Sequence, residues 1–273
     1  MVPKCDTILR RLSPDAEYEV REFLKRHNPF DVMFFQNRFT PETAGEHSGV
    51  WGAHDQHGKL VSLFKLRQDT CHVLWDDEEV LSPLAELVRG RYAFVKTAGQ
   101  ATQIDAFLYC FRQDEVSSRQ EGFACVLTKE RFRRYPTSEV RRANLADVDR
   151  LLDLFPDNCS EERLKIENAI NAASVFVVEV NDQIISTART DIETPKAAHV
   201  VGVATLPGFQ NRGYATVCMA ALCEDVFARC GKIYLAYVVG NEPTGRVYER
   251  IGFTLLPEKR VRARLKFPGI REV

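Results

Sequence analysis

The sequence predicts an α/β protein with a mixed sheet, arranged as two tandem domains. Its 273 residues, 45% hydrophobic and 27% charged, are enough for one large or two ordinary globular domains. The second half alternates strand-like and helix-like patterns, and the first half contains a fainter version of the same order. A basic segment that contains a proline, residues 129–142, separates the halves. We therefore predict one domain at 1–130 and another at 137–273.

Hydrophobic spacing defines the elements of the second half. Asn144 precedes a helical pattern as its cap, and Asn181–Asp182 is a pair typical of a tight hairpin turn. The predicted order is a strand (138–144), two helices (145–155 and 161–173), three strands (174–180, 183–190 and 197–205), a helix (210–229), a strand (232–239), a helix (242–251) and a strand (254–267).

The first half follows this order more weakly. It contains a helix (16–27), a hairpin (48–67), a strand (71–75), a helix (82–90), a strand (92–97), a helix (101–112) and a strand (122–128). Four acidic residues, 76–79, lie between the strand at 71–75 and its helix, where the second half has Gly and Arg. Because four carboxylates would repel a phosphate, the first half has lost an anion site if the halves are related.

Composition excludes several classes of function. A net charge of −1 gives no global signal for nucleic acid or an anionic membrane, and no stretch approaches a membrane-spanning length. Eight cysteines without a CxxC pair indicate reduced thiols in a cytoplasmic protein. Two histidines within 54–57 lie on a hairpin turn and have no further ligand at metal spacing, so we predict no metal site.

The stretch LPGFQNRGYATV, residues 206–217, places Gly208 and Gly213 between a strand-like run and a helical pattern. The first amides of a helix have no intrahelical acceptor, and the helix dipole is positive at this end. A turn kept clear of bulky side chains there suits a phosphate group. The same residues also fit an ordinary strand-to-helix turn, so this stretch alone leaves both interpretations open.

The pattern Q-x-x-G-x-A at 210–215, within this order of elements, resembles the GNAT superfamily of acyl-CoA N-acyltransferases. A second match resembles the family's N-x-x-A-x-x-x-Y-x-x-x-G-F with Thr in place of Ala, and consists of Asn241, Thr244, Tyr248, Gly252 and Phe253. The resemblance covers residues 137–273 and implies a GNAT fold for them. The first half is similar to a degenerate GNAT-like domain.

The resemblance implies a site for acetyl-CoA at the turn. Backbone amides would face the pyrophosphate, Gly213 would allow close approach, and Arg212 would add a positive charge. The residues implied are Gln210, Asn211, Arg212, Gly213, Tyr214, Ala215 and Thr216.

The resemblance also implies that the strand before the turn splays from its neighbour. Its backbone would pair with the pantetheine arm, here through Val201 and Val203, and Gly202 would ease a bulge. Asn241 either contacts the cofactor arm or serves only as a helix cap.

Acyl transfer from a thioester needs a base for the amine and a proton donor for the thiolate. Tyr248 matches the family's general acid. The glutamate that serves as base in histone-type members corresponds here to His199, eleven residues before Gln210, and a neutral imidazole accepts a proton. A structural histidine, Asp191 or Glu193 as the base, and a chain of water molecules are the alternatives.

The function predicted is an N-acetyltransferase that passes an acetyl group from acetyl-CoA to a primary amine of a small molecule or peptide. Transfer would be direct, in a ternary complex, because Cys218 and Cys223 look buried rather than nucleophilic. The alternative is a non-catalytic module that binds acyl-CoA. We expect an amine acceptor as the partner, no nucleic acid and no membrane, with a homodimer as a further option.

Overall fold

The structure is a computed structural model that describes residues 8–36, 39, 48–67, 69–155 and 160–267. Its contacts group into two compact units. Unit 1 contains Met1–Gly122 and Glu258–Val273, and unit 2 contains Phe123–Pro257. The end of the chain therefore belongs with the first half. The predicted domains, 1–130 and 137–273, concern folding units, which a grouping of contacts does not test, so they stay a prediction.

Twelve strands and eight α-helices are present in the described part of the chain. In chain order, the strands are β1 (Ile8–Arg11), β2 (Gly49–His54), β3 (Leu60–Arg67), β4 (Thr70–Trp75), β5 (Phe94–Gln100), β6 (Val116–Thr128), β7 (Val140–Arg142), β8 (Val175–Val180), β9 (Gln183–Glu193), β10 (Ala197–Thr205), β11 (Lys232–Val238) and β12 (Thr254–Lys266). The helices are α1 (Glu17–Leu24), α2 (Pro29–Val32), α3 (Leu81–Arg89), α4 (Ala101–Tyr109), α5 (Val148–Leu152), α6 (Ser160–Ala172), α7 (Tyr214–Phe227) and α8 (Glu242–Ile251). None of these helices is both long enough and apolar enough to cross a membrane.

Unit 1 contains a sheet in the order β1-β2-β3-β4-β5-β12. Neighbouring strands are antiparallel except for β4 and β5, which are parallel. Successive side chains of a strand point to opposite faces. Leu63 and Phe64 of β3 are therefore both fully buried, Leu63 in a cluster with residues of α1 and Phe64 in a cluster with residues of α3 and α4. Both faces of the sheet are covered.

Unit 2 has the strand order β6-β11-β10-β9-β8-β7. Strand β10 pairs antiparallel with β9 and parallel with β11. Val177 and Val178 of β8 again face opposite ways, Val177 into a cluster with α5 and α6 and Val178 into a cluster with α7. Helix α7 therefore lies on one face of the sheet, while α5 and α6 lie on the other.

The order of elements predicted for the second half is confirmed, and β10 has the predicted bounds. Asn144 caps its helix by accepting a hydrogen bond from the amide of Ala146 at 2.9 Å, and Asn181 and Asp182 have positive φ angles of 49° and 60°, as the hairpin turn requires. Helix α7 begins at Tyr214 rather than at residue 210, because residues 207–209 form a 3-10 turn.

The first half departs further from its prediction. Strand β6 begins at Val116 rather than at residue 122, and the sequence patterns predicted neither β1 nor α2. The four carboxylates at 76–79 do lie between β4 and α3, as predicted.

Candidate functional site

Strands β10 and β11 of unit 2 pair over only part of their length and then separate. Their parallel pairing covers only Ala197 to His199 of β10, opposite Lys232 to Tyr234 of β11. Beyond His199, β10 stays paired with β9, but its register shifts between Val201 and Ala204, and Gly202 has a φ of +57°. A bulge of this kind bends a strand away from its neighbour. The predicted splay and the predicted bulge at Gly202 are confirmed.

Gly202 is required for space as well as for its backbone angle. A Cβ atom added there would lie 2.5 Å from Nε of Arg189, a buried side chain of β9. Arg189 is itself held by Glu162 of α6, with 2.5 Å between Nη2 and Oε1. The bulge is therefore packed against an ion pair that joins β9 to α6.

A cavity of about 630 Å³ opens where the strands separate. Its walls are the end of β10, the turn before α7 with the first turn of α7, and one side of α8. Nine of the predicted site residues line it: Val203, Gln210, Asn211, Gly213, Tyr214, Ala215, Thr216, Asn241 and Tyr248. The predicted residues His199, Val201 and Arg212 do not line it.

The turn before α7 exposes backbone amides to this cavity. Asn211 and Gly213 both have left-handed backbones, with φ of +62° and +91°, a geometry that turns successive amides toward one side. Gly213 is the N-cap and supplies no side-chain cap. The amide of Thr216 donates to the carbonyl oxygen of Gly213 at 2.9 Å, so the amides of Tyr214 and Ala215 are the first-turn donors left for a ligand. The amide of Thr216 is therefore used within the helix, and contact between Thr216 and a cofactor stays a prediction.

Positive charge surrounds the cavity. Arg246 and Arg250 line it, and none of the lining residues is acidic. Arg212 lies just outside, with its guanidinium 5.6 Å from the ring centre of Phe209. Sequence reasoning missed Arg246 and Arg250, although their spacing of one helical turn places them on the same face of α8. The charges and the amides together suit an anionic ligand such as a pyrophosphate.

Tyr248 of α8 is 5% exposed and contacts two aromatic rings, Tyr237 and Phe253, each with 5.7 Å between ring centres. Burial raises the pKa of its phenol well above the ordinary value, and nearby Cys125 adds to this. The phenol therefore keeps its proton at neutral pH. It can donate a hydrogen bond into the cavity, whereas complete proton loss would be costly.

Asn241 acts as the cap of α8. Its side-chain oxygen accepts a hydrogen bond from the amide of Thr244 at 3.3 Å, and the residue also lines the cavity. Asn241 is therefore a helix cap, and both alternatives, a cap only or a cap that also contacts the cofactor, stay predictions.

His199 lies at the point where β10 and β11 separate, since it belongs to the last pair of their shared register. Its side chain is 13% exposed, and Nδ1 lies 2.8 Å from Oδ1 of Asp191 on β9. Burial would raise the pKa of Asp191, but the charge and hydrogen bond of His199 outweigh burial and hold that pKa below its usual value. If Nδ1 carries the proton that the carboxylate accepts, Nε2 is the nitrogen able to accept another.

The contacts of Asp191 and Glu193 bear on whether either carboxylate could be the base. Asp191 is the partner of His199 and not an isolated carboxylate. Glu193 accepts hydrogen bonds from Thr190 at 2.6 Å and from Arg229 at 2.8 Å, which hold its pKa below the usual value against the opposing effect of burial. A carboxylate bound in this way is a weak base, so His199 is the better candidate.

Cys218 and Cys223 are fully buried in α7, as predicted. Burial raises the pKa of the Cys218 thiol to about 12 and that of Cys223 further, so neither forms the thiolate that a nucleophile requires. Among the described residues, no group of three His, Cys, Asp or Glu side chains could hold a metal ion.

Comparisons with known proteins agree with this geometry. Residues 145–253 match the model of the acetyltransferase (GNAT) family. No curated protein matches the sequence. The whole-chain fold is similar to that of a solved Drosophila protein, with a TM-score of 0.70, 14% identity, and coverage of 95% of this chain and 98% of that one.

Two further solved structures extend the likeness. A GCN5-related N-acetyltransferase from Sphaerobacter thermophilus has a TM-score of 0.66 and 12% identity, with 97% of this chain and 98% of that chain covered. A tandem GNAT protein of the clavulanic acid biosynthesis pathway has a TM-score of 0.61 and 12% identity, with 98% and 100% covered. The predicted α/β fold of the GNAT type is therefore confirmed, and its arrangement as two tandem domains stays a prediction.

Proposed function

Since residues 145–253 match the model of the acetyltransferase (GNAT) family, we propose that this chain transfers an acetyl group from acetyl-CoA to a primary amine of a small molecule or peptide. The observation that carries the proposal is the cavity between β10 and α8. The cavity is lined both by the N-terminus of α7, which suits an anion, and by the end of β10. The His199–Asp191 pair lies where the edge of β10 separates from β11.

The residues fit the two chemical parts of coenzyme A. The amides of Tyr214 and Ala215, with Arg246 and Arg250 nearby, suit the pyrophosphate. The edge of β10 beyond His199 does not pair with β11, so its N–H and C=O groups are placed to bind the amides of the pantetheine arm as an added strand would. Val201 and Val203 belong to this edge.

The chemistry assigns one role to His199, which lies where β10 separates from β11, and another to Tyr248, which lines the cavity. The amine nitrogen attacks the thioester carbon, and His199 accepts the proton that the nitrogen loses, while Asp191 holds the imidazole in position. As the carbon–sulfur bond breaks, Tyr248 donates a hydrogen bond to the leaving sulfur. Because the pKa of Tyr248 is raised, it stabilises the thiolate by this bond, and solvent completes the protonation. The products are the N-acetylated amine and free coenzyme A.

The proposal also includes an amine acceptor as the partner, a homodimer as an option, and a cytoplasmic location. The six described cysteines are free thiols, five of them buried, which supports a reducing compartment such as the cytoplasm. The balanced charge supports a partner other than nucleic acid or a membrane.

The proposal is tested by calorimetric titration of acetyl-CoA, followed by measurement of thiol release with a panel of primary amines. We expect saturable binding and amine-dependent release of coenzyme A. Binding without release for every amine would favour the non-catalytic module, which the absence of the family's glutamate at position 199 allows. No binding would remove both functions.

We expect Tyr248→Phe to lower kcat about 10- to 100-fold, since it removes a hydrogen bond made to the charge that develops on sulfur. The KM for acetyl-CoA should change less than about twofold, because the substrate thioester carries no such charge. Steady-state kinetics of Tyr248→Phe beside Tyr237→Phe would check this, since Tyr237 packs on the same ring but does not line the cavity. Equal losses in both variants would mean that the effect is not specific to the Tyr248 hydroxyl, which would contradict its role at the leaving sulfur.

A further inference from the structure

Unit 1 contains a second pair of parallel strands that separate. Strands β4 and β5 pair at Thr70–Lys96 and Cys71–Thr97, after which β4 continues to Trp75 and β5 to Gln100. As with β10 and α7 in unit 2, the strand leads directly into a helix, here α3. The topology that creates the cavity of unit 2 is therefore present in unit 1.

The gap beside β4 is filled by a side chain of the protein. Gln103 of α4 accepts a hydrogen bond from the amide of Trp75 through Oε1 at 2.9 Å and donates Nε2–H to the carbonyl oxygen of Trp75 at 3.1 Å. The indole Nε1 of Trp75 donates to the backbone oxygen of Gln103 at 3.2 Å. A primary amide that bonds both backbone groups of one strand residue does what an amide of an added strand would do.

The start of the helix after β4 is occupied in the same way. Oδ1 of Asp77 accepts a hydrogen bond from the amide of Glu79 at 3.0 Å, capping the 3-10 turn Glu78–Val80 that leads into α3. The equivalent cap in unit 2 is Gly213, which has no side chain to offer. The N-terminus of this helix is thus already bound to a carboxylate. The acidic residues beside it would also repel a pyrophosphate.

We propose that unit 1 holds a closed acyl-CoA cleft, in which Gln103 occupies the position of the pantetheine amide and Asp77 that of the phosphate. The chain accordingly binds one acyl-CoA per molecule, in unit 2. The stoichiometry rests on the proposed function, whereas the closure of unit 1 rests on its own hydrogen bonds.

The closure is tested without any cofactor, by hydrogen exchange at the amide of Trp75. Gln103→Ala removes its acceptor and keeps a good helix former in α4, so exchange should quicken at least about tenfold. Thr102→Ala, at the exposed neighbouring position of the same helix, should leave the rate unchanged. Unchanged exchange in Gln103→Ala would overturn the closure.

The stoichiometry is tested by calorimetric titration of acetyl-CoA into the full chain. One molecule bound per chain is the expected result, and the site should disappear in a variant altered at the α7 terminus of unit 2. Two molecules per chain would overturn the inference. No binding would overturn the proposed function and the stoichiometry together, while the exchange rates would still decide whether unit 1 is closed.

Discussion

Gly213→Glu is expected to weaken acetyl-CoA binding about 100- to 1000-fold. The new carboxylate would stand at the N-cap of α7, next to Tyr214 and Ala215, which line the cavity and whose amides are the proposed donors to the pyrophosphate. Two like charges about 4 Å apart near a protein surface repel by about 4 kcal/mol, and each 1.4 kcal/mol changes an affinity about tenfold. Calorimetric titration at moderate salt would measure the loss, and circular dichroism would show whether the fold is kept.

Strain must be separated from charge in this experiment, because Gly213 has a left-handed backbone that costs a side chain about 1–2 kcal/mol. Gly58 provides a matched control. It has a φ of +77° against +91° for Gly213, and an added Cβ would meet nothing within 4 Å at either position. Gly58→Glu should bind acetyl-CoA like the wild type. Normal binding by Gly213→Glu would mean that the pyrophosphate does not lie at this terminus.

The sequence predicted the parts of the site that depend on local structure, which are the turn before α7 and the bulge in β10. The turn before α7 could be recognised because glycines between a strand-like run and a helical pattern are a short-range signal. The bulge at Gly202 could be anticipated for a similar reason, since a glycine interrupts the apolar run of β10. Helix α7 still begins later than predicted, because periodicity does not distinguish a 3-10 turn from the helix that follows it.

The strand and the strand pairing that the sequence did not predict depend on contacts between residues far apart in the sequence. Strand β1 has only four residues, two of them arginines, and it becomes a strand by pairing with β2. Strand β12 was predicted as a strand, but its pairing with β5, from Arg260–Gln100 to Lys266–Phe94, could not be read from an alternating pattern. Pairing partners are chosen by tertiary packing, which a pattern along one strand does not contain.

Pairing of side chains was missed for a different reason. Asp191 and His199 were both predicted as candidate bases, yet they form one pair across the β9–β10 hairpin. Arg189 lies opposite Val201 in the same hairpin, which places its side chain over Gly202. A hairpin register would have brought these residues together, but the bulges in β10 shift that register at two places, between His199 and Val200 and between Val201 and Ala204.

His199→Ala is expected to lower kcat about 100- to 10,000-fold, the range typical for loss of a general base. Affinity for acetyl-CoA should stay near the wild-type value, because His199 does not line the cavity where the coenzyme would lie. Asp191→Asn should give a smaller loss, since it removes the carboxylate that holds the imidazole but leaves a hydrogen-bonding amide. His57→Ala, on an exposed hairpin turn, serves as the control.

The same pair predicts how stability depends on pH. The pKa of Asp191 is lowered in the folded chain, so the unfolded chain takes up a proton first as pH falls. The stabilisation from this pair is therefore present above the unfolded pKa of about 3.9 and is lost as pH falls through the lower folded value. Urea denaturation between about pH 5 and 3 should show a weaker acid-induced loss of stability in His199→Ala than in the wild type. A full kcat in His199→Ala, with this stability change present, would assign the histidine a structural role and leave deprotonation of the amine to water.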